Sequence, residues 1–295
     1  GKDMVLVKNP KYVGETGNVD KIVLKFGGLG LQQYMAGELD AAMIGNVAEY
    51  RFVMADPKLS KEFHEDVMDC FWNGYQWSRG FDPVMDNLKL RQALAMAIDR
   101  EKLCKDVLGG RALPLAKYWP DGNPIGDKMK AIPFDVKKAQ QLLAEAGYPG
   151  GKGLPEITIF YNTSKAHQRI MEAIQANLAE IGIKAKIQNY DWAVYLDLLD
   201  KGELPVYRLG WVADYIDPDN FLWVLFNSKN FGEAGNHSFY KNAKVDELTD
   251  KARKVSSWKV REKYYNDAEK IILEEMPIIP IYYYVSQPIH QPWVH

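Results

Sequence analysis

Cysteine is nearly missing from this 295-residue chain, which has Cys70 and Cys104 and no others. Two cysteines are too few for a disulfide framework and lack the spacing of a metal site, while a single bridge between them stays open on sequence alone. An excess of either charge is missing too: 37 basic and 39 acidic side chains leave a formal net charge of -2. That balance removes the electrostatic case for a nucleic-acid surface and favours a small, roughly neutral or zwitterionic partner. No apolar run approaches the roughly 20 residues of a membrane span, and the opening GKDMVLVKNP lacks the apolar core of a signal peptide. If the protein is exported, its signal is expected to have been removed or to lie outside this sequence. Low-complexity tracts, charge blocks and fixed-period repeats are also lacking, which sets repeat proteins aside.

Signatures of catalysis are equally sparse. The histidines are His64, His167, His237, His290 and His295; no two stand four apart or flank a carboxylate as a metal site requires. No serine has the context of a nucleophile elbow, and neither cysteine has a histidine close by in sequence. KFGGLGLQQ, with Gly27, Gly28 and Gly30 between a strand and a helix, suggests a phosphate loop but fits neither GxGxxG nor Gly-Lys-Ser/Thr. A plain tight turn is the better reading.

What is present is apolar material, 47% hydrophobic against 26% charged, enough for one large core or two smaller ones. KIVLKF, LQQYMAGEL and DAAMIG predict a strand, a helix and a short buried strand, a βαβ-like fragment. DNLKLRQALAMAIDREKLCKDVLGG predicts one long helix with Asp86 as possible cap and Gly109 as stop. After a Pro- and Gly-rich connection from Leu113 to Asp127, Asp135 caps a helix through Leu142 and Leu143 that ends at Gly147. EITIFYN, a helix from Ser164 to Gly182, and IKAKIQN then form a β–α–β unit. DWAVYLDLLDKG, KVDELTDKARKV and WKVREKYYNDAEKIILEE read as helices, and PIIPIYYYVSQPI as a final aromatic strand. Strands alternating with helices predict an α/β architecture.

One segment, VYRLGWVADY, sets Arg208 inside an apolar strand and closes on Asp214. If it stays extended, Arg208, Gly210, Val212 and Asp214 share a face, with the two charges at most roughly 20 Å apart. That span suits a short peptide with its ammonium at Asp214 and its carboxylate at Arg208. Pairing inside the protein, or exposure to water, suits the same residues, and the segment by itself leaves both readings open.

GWVADYIDPDNF, LRQALAMAIDREKL, KKAQQLLAEAGYPGG and VDKIVLKF…LQQYMAGELDAA together resemble the extracellular solute-binding proteins of family 5, which serve oligopeptide and dipeptide ABC importers. YNTSKAH, YRLGWVADY and PIYYYV…PWV echo the oligopeptide-binding branch. The resemblance implies a type II periplasmic binding protein-like α/β fold, mostly lobe two with part of lobe one. Residues 1–70 are then the C-terminal part of lobe one, 71–282 lobe two with the wall of the peptide groove, and 283–295 the return to lobe one. The family's proteins are longer, so a C-terminal fragment is expected, with hinge candidates at CFWNGYQW and IYYYVSQ.

Carried over by position, the resemblance gives Asp214 the peptide's α-amino group, and Arg208 and His167 its carboxylate. Trp211 and Val212 would line the groove and hold peptide main chain by strand addition. It implies no catalytic residue, metal or cofactor. The implied partners are short peptides and membrane permease subunits, with a monomer in the periplasm or at the extracytoplasmic cell surface. SRGFDPVMDN departs from the family's usual entry to the first long helix, so no carboxylate-binding lysine is carried onto it. A relative taking a dipeptide, an oligosaccharide or a metal chelate is the alternative, and a peptide hydrolase is the reading from another class.

Overall fold

A computed structural model describes residues 3–27, 29–64, 66–67, 71–77, 82–115, 118, 132–215 and 217–294, with backbone alone at 66–67, 71–77 and 284. The expectations on Gly28, on Cys70 and its bridge, on the first four residues of SRGFDPVMDN and on most of the Pro- and Gly-rich connection lie outside the described residues. Two units divide the chain: Gly1–Asp66 with Ser286–His295, and Val67–Val285.

The first unit opens with β1 (Met4–Val7), β2 (Lys21–Leu24), α1 (Gly30–Met35), β3 (Ala41–Met43), α2 (Val47–Ala55) and α3 (Leu59–Glu62), up to β4 (Asp66–Val67). The second contains β5 (Phe71–Trp77), α4 (Leu88–Ala97), α5 (Arg100–Lys102), β6 (Ala112–Pro114), α6 (Val136–Glu145), β7 (Ile157–Asn162) and α7 (Lys165–Glu180). It continues through β8 (Ala185–Tyr190), α8 (Trp192–Asp200), β9 (Val206–Val212), α9 (Pro218–Phe226), α10 (Ala243–Ala252), α11 (Trp258–Glu275) and β10 (Ile278–Ser286). The last element, β11 (Pro288–His290), belongs to the first unit.

In the first unit the expected βαβ fragment is not formed. β2 pairs antiparallel with β1, and β3 pairs antiparallel with β11, so the two strands flanking α1 belong to different sheets. The connection of residues 25–40 is long enough for a crossover, but each strand finds an antiparallel partner elsewhere, β1 for β2 and β11 for β3. Nor is β3 a buried strand, since Ala41 and Met43 are exposed. The final aromatic strand also divides, β10 joining the larger sheet and β11 pairing with β3. Leu31, Tyr34, Ile44, Val53, Leu59 and Ile289 form the core of this unit.

The larger, seven-stranded sheet runs in the order β4, β10, β5, β9, β7, β8, with β6 also on β10. β5 pairs antiparallel with the whole of β9, from Phe71 opposite Val212 to Trp77 opposite Val206. β7 and β8 are parallel and joined by α7, as their sequence predicts. Along β9, Tyr207 and Leu209 pack with Tyr195 and Leu199 of α8, while Val206 joins the cluster of Leu94, Leu143, Ile159 and Ile174. Alternate residues of a strand face opposite sides, so β9 is covered on both faces at its start.

Two helix caps stand where the sequence places them: Asp135 accepts from Lys138 N at 2.8 Å and Ser164 from His167 N at 3.4 Å. The single long helix of residues 86–109 is instead interrupted. Asn87, not Asp86, caps α4 by accepting from Lys89 N and Leu90 N, and the chain leaves the helix at Ile98 (ψ 114). Asp99 then caps α5, which passes into a π-helical turn at Leu103–Val107. The break is held by the buried Arg100, whose guanidinium donates to the carbonyls of Ala95, Ile98, Leu115 and Pro280.

Candidate ligand-binding site

Strand β9 carries two polar clusters, one near its start and one just beyond its end. Its pairing with β7 is confined to Tyr207 opposite Phe160, and β7 ends at Asn162. The last residues of β9, Gly210 to Val212, therefore run past β7, and among the described residues no strand pairs with them on that side. Val212 is 48% exposed there.

The strand does not stay extended to Asp214. β9 ends at Val212, and Asp214 stands in the bend before α9 with its side chain exposed. Buried Asn220 of α9 organises that bend: its Oδ1 accepts from Trp211 Nε1 at 2.8 Å and from Asp214 N at 3.2 Å, and its Nδ2 donates to Asp214 Oδ2 at 3.4 Å. The neighbouring acids are already engaged. Asp217 caps α9 and accepts from Arg261 at 2.7 and 2.9 Å. Asp219 pairs with Arg253 at 3.2 Å and accepts from the hydroxyls of Tyr215 and Tyr265. Among the described residues Asp214 has no ion pair, so it is the acid of this segment left facing solvent without a cation.

The other cluster gathers on Asn162. Its Oδ1 accepts from an Arg208 terminal nitrogen at 3.0 Å, and its main-chain oxygen lies 3.4 Å from His167 Nδ1. Arg208 is 6% exposed, and its carbonyl accepts from the Tyr195 hydroxyl at 2.6 Å. His167 occupies the first turn of α7. Burial, and then the nearby Arg208 cation, push its imidazole down to about 4, against the opposing hydrogen bond to Asn162. Arg208 and His167 are thus brought together, as are Trp211 and Asp214, in separate clusters.

Asn162 and Asn220, which arrange both, escaped the sequence reading. An asparagine closing a strand ahead of a Ser cap, and one in the first turn after Asp-Pro-Asp, are the only local traces they leave. No three His, Cys, Asp or Glu side chains among the described residues are placed to hold a metal. No described helix is long and apolar enough to cross a membrane.

A mixed sheet covered by helices, with a parallel β–α–β unit beside a long antiparallel strand pair, is the type II periplasmic binding protein-like fold, shared with solved periplasmic peptide-binding proteins. The chain belongs to the bacterial extracellular solute-binding proteins, family 5, whose middle region it matches over residues 1–233. It is 31% identical over 271 residues to the periplasmic murein peptide-binding protein MppA of Escherichia coli K12, covering 89% of this chain and 49% of that protein. The oligopeptide-binding protein OppA of Bacillus subtilis 168 is 30% identical over 281 residues, covering 91% and 50%. The periplasmic binding protein DppA from Helicobacter pylori, solved in complex with the peptide STSA, superposes with a TM-score of 0.81 at 29% identity, covering 98% of this chain and 56% of that one. The chain spans about half the length of the curated relatives it matches.

Proposed function

We propose that this chain is part of a receptor that captures short peptides outside the cytoplasmic membrane and passes them to the permease of an ABC importer, without catalysis. Gly1–Asp66 with Ser286–His295 would belong to lobe one, and Val67–Val285 to lobe two, with its groove wall at β9. The relatives named for murein peptide and oligopeptide binding, and the relative solved with STSA, support the ligand class.

The observation that carries this reading is Asp214: a carboxylate exposed and free of an ion pair among the described residues, held in place by Asn220. A peptide ammonium supplies the missing cation, while Trp211 and Val212, on the open edge of β9, take its main chain by strand addition. Arg208, one strand-length back, takes the carboxylate, with His167 at its side. The lobe-two wall alone buries one side of a peptide, so affinity for this chain is expected to be weak and is best read at high peptide concentration.

Titration calorimetry with a tripeptide and its N-acetyl derivative tests the assignment. Asp214→Ala should weaken the free tripeptide by about 1 kcal/mol, the upper end for a solvent-exposed ion pair. Acetylation should cost the native chain as much and cost the variant nothing further. Equal binding of the acetylated peptide to native chain would remove Asp214 from the role.

A further inference from the structure

His64 and His290 lie far apart along the chain and meet within the first unit. An antiparallel bridge pairs Phe63 with Ile289, and His64 N donates to the Pro288 carbonyl at 2.9 Å. Ile289 belongs to the core of the unit and Phe63 packs against it, so the residues on either side of them turn the other way. His64 and His290 are diagonal neighbours on that outer face, within reach of ring contact. Their rings stack with centroids 3.8 Å apart and planes 6° from parallel. Both line an open cavity of about 670 Å³, with Pro57, Glu62 and Gln291 among its other walls. Among the described residues neither ring takes part in a hydrogen bond, so the nitrogens of both are available to a ligand. Spacing along the chain hides such a pair, because the two histidines become neighbours only through strand pairing.

We infer that His64 and His290 form a two-histidine site for a divalent transition-metal ion, copper(II) ahead of nickel and zinc, with water from the cavity filling its other positions. The inference is independent of the peptide-receptor reading. Imidazole suits these ions, and copper(II) heads the affinity order of the first-row divalent ions. Stacked rings do not chelate as they stand. Two nitrogens at about 2.0–2.1 Å from one ion require the rings to tilt edge-on toward it. The terminal torsion of histidine is broad, and no hydrogen bond among the described residues fixes either ring, so the tilt costs little. Lys58 and Lys61 line the same cavity and oppose a dication. Lys58, however, is 78% exposed and 3.9 Å from the Glu62 carboxylate, so its charge is partly met and its long stem can turn into water. No third His, Cys, Asp or Glu is placed to join the pair among the described residues, which makes the site one that loads and releases its ion readily.

Pulsed electron paramagnetic resonance of the 295-residue chain, loaded with less than one equivalent of copper(II), counts the imidazoles on the ion. Two are expected. His64→Gln and His290→Gln should each reduce the count to one or none and weaken copper binding at least about tenfold in titration calorimetry. A count below two in the native chain, or two imidazoles with undiminished affinity in either variant, overturns the inference. A second measurement needs no variant and so does not depend on how the substitutions fold. Zinc, which is diamagnetic, is titrated into the native chain and followed in long-range proton–nitrogen correlation spectra of the imidazoles. The ring signals of His64 and His290 should move together. Movement of other histidines in their place, or of one ring of the pair without the other, overturns the site.

Discussion

At the scale of single residues, the two charges of VYRLGWVADY end in opposite situations. Arg208 is buried against Asn162, and Asp214 stands in solvent beside Asn220. Their unusual setting was visible in the sequence because charges interrupt an apolar strand; the asparagines that hold them were not, because an asparagine has no distinguishing pattern until its partner is known. His167 makes a pH prediction. Its imidazole is depressed from 6.5 to about 4 in the fold, so between those values the unfolded chain binds more protons and stability falls as pH drops through that window. His167→Gln removes this contribution. Urea unfolding at pH 7 and pH 4.5 should show a smaller acid loss for the variant than for the native chain, and equal losses would contradict the assignment. Asn162→Asp places a carboxylate against Arg208 and offsets its cation, so the His167 midpoint should rise in a proton NMR titration.

At the scale of elements, ends proved easier to read than interruptions. Asp135 and Ser164 cap within three residues of their own position, so their sequence neighbourhood contains the whole interaction. The break between α4 and α5 depends on Arg100 reaching Leu115 and Pro280, which helical periodicity does not register. Gly182 after α7 was read as a stop, and the fold adds a second constraint. It has φ +87, and a Cβ there would lie 2.3 Å from the Gly150 carbonyl oxygen. Gly182→Ala should therefore destabilise the chain by about 2 kcal/mol or more, combining left-handed strain with the clash. A chemical-denaturation midpoint unchanged from native would show that the two glycine segments are not in contact. For α9, Asp217→Ala removes both the cap and the acceptor of Arg261, for an expected loss of about 1 to 2 kcal/mol.

At the scale of the whole molecule, the two units differ in how much they bury. The larger has extended clusters on both faces of β9, and the smaller rests, among the described residues, on six buried apolar side chains, with every residue of β1 and β2 exposed. Local opening follows burial, so amides of β1 and β2 should exchange hydrogen by mass spectrometry on the order of a hundredfold or more faster than those of β7 and β9. Uniform protection across both units would contradict this. The same difference accounts for the β-fragment misread at residues 21–45, where little burial is available to enforce a parallel pairing.

Caps, periodicity and glycine stops were determined by the sequence itself, because each is settled within a few residues of chain; the α/β class and most helices and strands follow from them. The family motifs were legible in the same local way. Partner choice needed the tertiary structure: Asn162 meets Arg208 from 46 residues away, Asp217 meets Arg261 from 44, and β5 lies beside β9 rather than beside a sequence neighbour. Hydrogen bonds and charges act over a few ångströms, so which long-range neighbour satisfies a buried or exposed polar group is decided only once the sheet and its helices have brought the two together.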